Sequence, residues 1–142
     1  MAQIHYKNRE EAFAQLNRMV GVWMDQEGEK SSYEWMDGRN FMMHKVEGGI
    51  EILGYDEDSG LIKTQFFASH RDMLDNHGKP IRYTYSMQDK DFEVALDNMP
   101  DRHGSFVARL TDNDTKLSGR WDWVQNGKKM GYDSVLIKQV AS

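Results

Sequence analysis

The stretch Ile81-Arg82-Tyr83-Thr84-Tyr85-Ser86-Met87 alternates apolar or aromatic with polar side chains without a break. In a β-strand successive side chains point to opposite faces, so this pattern describes a strand with one buried and one wetter side. Turn-forming residues flank it, Asp75-Asn76-His77-Gly78 before and Gln88 to Asp91 after. Asn, Asp and Gly adopt the backbone angles that hairpin turns demand.

The same alternation recurs in Phe92-Glu93-Val94-Ala95-Leu96 and in Leu117-Ser118-Gly119-Arg120-Trp121-Asp122-Trp123. Further turn signals stand at Glu27-Gly28-Glu29, Asp37-Gly38, Glu47-Gly48-Gly49, Asp56 to Gly60, Asp97 to Gly104, Asp112-Asn113-Asp114 and Gln125-Asn126-Gly127. Short links at this spacing predict about ten strands, each antiparallel to the next. So many strands in one small domain would leave bare edges in a flat sheet, and closure removes them. The expected fold is all-β, an up-and-down antiparallel barrel over about residues 21–139 rather than a two-sheet sandwich.

Ahead of the barrel, residues 8–20 read as one short N-terminal helix. Asn8 is placed as N-cap with Glu11 three residues on, in a variant of the capping box. Ala12, Phe13, Leu16, Met19 and Val20 form its apolar stripe. The chain of 142 residues fits a single domain spanning 1–142.

Composition narrows the function. With 18 basic residues scattered among 23 acidic ones and a net charge of −5, the chain lacks the clustered cations that nucleic acid requires. It has no cysteine, which removes disulfide and thiolate chemistry. The opening residues show no apolar signal segment and no stretch is long enough to span a membrane, so a cytoplasmic location and no membrane partner are expected.

Four stretches carry a resemblance. Leu16-Asn17-Arg18-Met19-Val20-Gly21-Val22-Trp23 sets a Gly-x-Trp after a helix. Ile52-Leu53-Gly54-Tyr55-Asp56 and Phe66-Phe67-Ala68-Ser69-His70 follow, and Leu117 to Gly127 ends the series. Over about residues 13–138 the chain resembles a bacterial family of lipocalin-like barrels of unknown function, the DUF1579 type, within the calycin and fatty-acid-binding-protein superfamily. Ala68, Asp122, Gln125 and Asn126 depart from that family's pattern. The resemblance implies a helix at one end of the barrel with Trp23 near it. It also implies a basic residue packed over that Trp, for which Arg120 and Lys138 are candidates.

Small barrels either fill their lumen or hold one ligand. Trp23, Tyr33, Trp35, Phe67, Tyr83, Tyr85, Trp121 and Trp123 are the expected inward aromatics, joined by Met43. His44 and Arg120 are the candidate polar handles. The leading expectation is non-covalent binding of a small apolar or aromatic molecule without a cofactor. One alternative is an enzyme doing isomerase, cyclase or lyase chemistry with a buried acid or base, such as His44, Asp133 or a set drawn from Asp25, Glu34 and Asp122. Another is a filled barrel serving protein interaction, as a homodimer. The spacing of His5, His70, His77 and His103 gives little support to a metal site; the resemblance to nitrobindin barrels leaves haem ligation by one of these histidines as a further alternative.

Overall fold

The computed structural model describes residues 3–70, 76–99 and 102–140. Among these residues one helix, α1 (Arg9–Asn17), precedes ten strands. They are β1 (Gly21–Met24), β2 (Lys30–Trp35), β3 (Met42–Val46), β4 (Gly49–Asp56) and β5 (Leu61–Ala68). β6 (Ile81–Gln88), β7 (Asp91–Leu96), β8 (Arg102–Thr111), β9 (Lys116–Gln125) and β10 (Lys128–Lys138) complete the set. Each strand pairs antiparallel with the next, and β1 pairs with β10 through Trp23 and Lys138 to close the barrel. The helix is shorter than the 8–20 span read from the sequence. The Asn8 side chain caps it by accepting from the Glu11 amide, and Glu11 reaches back to the Lys7 amide instead of completing the box on Asn8.

Beyond Asn17 the chain turns, which leaves Val20 on the surface rather than on the helix stripe. Ala12 and Leu16 of α1 and Met19 after it are fully buried. They meet Trp23, Met42, Leu53, Ile62, Met87, Leu110 and Leu117 in one core that fills the helix end of the barrel. Tyr6 stitches the N-terminal segment to that end. Its amide donates to Gly60 O at 2.7 Å, and its hydroxyl donates to Met87 O at 2.8 Å. At the helix terminus Arg18 pairs with Asp114 in the β8–β9 turn at 2.8 Å. The plug is therefore tied to the strand turns around it.

Lys138, not Arg120, takes the basic position over the first-strand tryptophan. Its Nζ stands 5.1 Å from the Trp23 ring and donates to Arg18 O at 2.8 Å. Arg120 lies on the outer face because it neighbours the inward Trp121, and it pairs there with Asp122 and Asp133. β8 begins inside what the sequence marks as a turn from Asp97 to Gly104. Part of the loop from Ser69 to Lys79 falls outside the described residues. Among the described residues no helix is long and apolar enough to cross a membrane.

Candidate functional site

The other half of the barrel is not filled. A cavity of about 710 Å³ occupies it and reaches the loops opposite α1, where Glu29, Glu47, His70 and Met99 stand at its margin. That volume lies within the range of small-molecule pockets.

Strand alternation builds the walls. On β6, Tyr83 and Tyr85 point inward; on β9, Trp121 and Trp123 do so, and Phe66 of β5 joins them. Tyr85, Phe92, Phe106, Trp121 and Tyr83 form a continuous series of ring contacts, with centroids 5.2 to 6.1 Å apart. Such contacts favour a rigid wall, since each ring restrains the next.

Two adjacent phenylalanines cannot both face the lumen. Phe66 takes the inner face, so Phe67 is turned outward and 48% exposed, a correction to the expectation for it. Met43 likewise faces out, because the buried Met42 and the cavity-lining His44 hold the inner positions of β3. Trp23 and Trp35 face inward but lie in the helix-end core. The Trp23 indole donates to Met19 O, and the Trp35 indole donates to Asn17 Oδ1 while its ring packs 4.8 Å from Phe13. Asp25, Glu34 and Asp122 do not meet: Asp25 caps the β1–β2 turn, Glu34 pairs with Lys45, and Asp122 with Arg120. Asp133 is an outer-face partner of Arg120.

At the cavity floor stands a residue the sequence reading passed over. Glu51 of β4 is only 4% exposed. Its Oε1 accepts from the Tyr85 hydroxyl at 2.6 Å and from His44 Nδ1 at 2.9 Å; its Oε2 accepts from Thr64 Oγ1 at 2.6 Å. A buried carboxylate is tolerated only when bonded in this way. The Tyr85 proton is committed to Glu51, so in the 3.3 Å contact between the two phenols Tyr33 is the donor. Burial first, then the Glu51 charge, raises the Tyr33, Tyr83 and Tyr85 hydroxyls above their ordinary value of 10.0. These phenols stay protonated, and those of Tyr33 and Tyr85 serve as donors.

His44 completes the arrangement. Glu51 holds its Nδ1 as a donor, leaving Nε2 as the ring atom free of that bond, on a side chain that lines the cavity. A histidine oriented by a buried carboxylate can bind a polar group or exchange a proton with it. Among the described residues no group of three His, Asp or Glu is placed to hold a metal ion.

The sequence does hold the signal for Glu51. Gly49, Glu51, Leu53 and Tyr55 share one parity on β4, and Leu53 is fully buried. Ile50 and Ile52 beside them draw the eye to the wrong face. No family model matches the chain, and no curated protein matches it.

Proposed function

We propose that the protein binds a small apolar or aromatic molecule, non-covalently, in the open half of its lumen. With that goes membership of the DUF1579-type lipocalin-like barrels and a cytoplasmic setting. The observation that carries the reading is the aromatic-walled cavity of about 710 Å³ with a polar floor. Apolar walls supply contact area, while a few fixed donors and acceptors set orientation. His44 takes the polar role at the floor; Trp121, Trp123, Tyr83 and Tyr85 supply the contact surface. Native mass spectrometry of protein purified from its own host tests this. A retained small-molecule adduct supports the reading; bare chain alone, with no two-ring aromatic binding in calorimetry, overturns it.

The Glu51–His44 pair favours a second reading, an enzyme that isomerises, cyclises or cleaves the bound molecule. Here His44 Nε2 accepts a proton from one atom of the substrate and delivers it to another, while Glu51 steadies the imidazolium that forms. The third possibility, an interaction module, rests on a filled lumen, and the cavity speaks against that form of it.

A further inference from the structure

Arg102 is the residue the binding reading leaves unexplained. It opens β8 and shares the inward parity of Gly104, Phe106, Ala108 and Leu110, so its side chain lines the cavity. Its Nε is buried with no hydrogen-bond partner. None of the ion pairs recorded among the described residues involves it. A guanidinium donor buried without an acceptor is costly, and a group that supplies the acceptor recovers that cost.

The carboxylates of the cavity do not fill the role. Glu51 is engaged at the floor by Tyr85, His44 and Thr64. Glu29 and Glu47 border the turns of β2 and β3, which lie across the ten-strand ring from β8. Glu47 beside Glu29 raises the Glu29 pKa, as two neighbouring carboxylates disfavour each other's charge. Arg102 thus presents a cation on one wall, opposite an acidic margin, with Trp123 and Tyr83 beside it in the lining.

We propose that Arg102 is a carboxylate anchor and that the lumen ligand is an aromatic or conjugated carboxylic acid. Its anionic end lies at the β8 wall and its rings extend over Trp121 and Trp123. The planar fork of the guanidinium matches the two oxygens of a carboxylate, and the low-dielectric wall strengthens the pair. This deepens the lumen-binding reading and rests on it.

Calorimetry on the full chain with three probes of one shape separates the two ideas: 2-naphthoate, 2-naphthalenemethanol and 2-naphthylmethylamine. The expected result is 2-naphthoate binding at least about tenfold tighter than the alcohol, with the amine weakest. In Arg102→Gln the ratio of acid to alcohol affinity collapses towards one, while Arg102→Lys, which keeps the charge, retains part of it. Circular dichroism establishes that both variants are folded. Equal binding of acid and alcohol by the wild type, or tighter binding of the amine, overturns the anchor and leaves the lumen reading standing. Binding of none of the three overturns both.

Discussion

Tyr33 and His44 face each other across the β2–β3 pairing, and their rings stack at 3.8 Å with 6° between planes. One flat face of the imidazole is thereby covered, while Glu51 fixes its Nδ1. The ring has little rotational freedom left, so Nε2 keeps a set position relative to the cavity. Pre-positioning of this kind is what proton transfer requires.

Ring opening of 5-nitrobenzisoxazole probes that position. A base takes the ring C–H proton, the electron pair forms the nitrile, and the N–O bond breaks to release a coloured phenolate. With His44 as base, His44→Gln lowers the rate by about a hundredfold. Tyr33→Phe keeps the stack and most of the rate, whereas Tyr33→Leu loses more. Equal rates in wild type and His44→Gln would end the enzyme reading.

Glu51 is also a stability residue. In Glu51→Gln the new amide cannot accept at both positions, so at least one buried donor among Tyr85, Thr64 and His44 loses its partner. A loss of about 2 kcal/mol follows. Urea unfolding reads it as a lower midpoint at unchanged slope. A midpoint equal to that of the wild type would contradict the network.

How much of this was legible in the sequence follows from what strand alternation reveals. Turn residues such as Asp112-Asn113-Asp114 and Asn126-Gly127 mark the hairpins, because they adopt the positive φ observed there. The inward placement of Tyr83, Tyr85, Trp121 and Trp123 follows once the period is seen. Parity fails where hydrophobicity does not alternate: at Phe66-Phe67 the inner face belongs to Phe66 instead of the expected Phe67, and at Met42-Met43 the sequence alone fixes no face. Glu51 and Arg102 were missed for a different reason. A charged side chain reads as solvent-facing, and only the closed ring shows that the partners of Glu51 come from β3, β5 and β6.

The buried phenols make stability fall in alkali. Their folded pKa values lie above 10.0, the ordinary value they regain on unfolding. Below that pH both states are protonated and the contribution is fully present. Above it the unfolded chain releases protons that the native state keeps, so the folded form loses ground as pH rises. In a titration followed by tyrosinate absorbance, Tyr33, Tyr83 and Tyr85 ionise together with cooperative unfolding. A smooth titration of all six tyrosines near pH 10.0 without loss of fold would contradict their burial.

Leu16 tests the division of the lumen into a plug and a pocket. It is fully buried at the helix end, away from the cavity lining. Leu16→Ala therefore costs about 2–5 kcal/mol of stability. Affinity for 2-naphthalenemethanol, measured well below the melting point, stays near that of the wild type. A matching fall in affinity would show that the two halves are not separate.

The most direct measurement fills the cavity from within. Leu96 lines it on β7, and Leu96→Trp places a second ring system in the space assigned to the ligand. Calorimetry with 2-naphthalenemethanol should show saturable one-to-one binding by the wild type and none by the variant, with the barrel still folded by circular dichroism. Undiminished binding by the folded Leu96→Trp protein would place the ligand elsewhere and contradict the account.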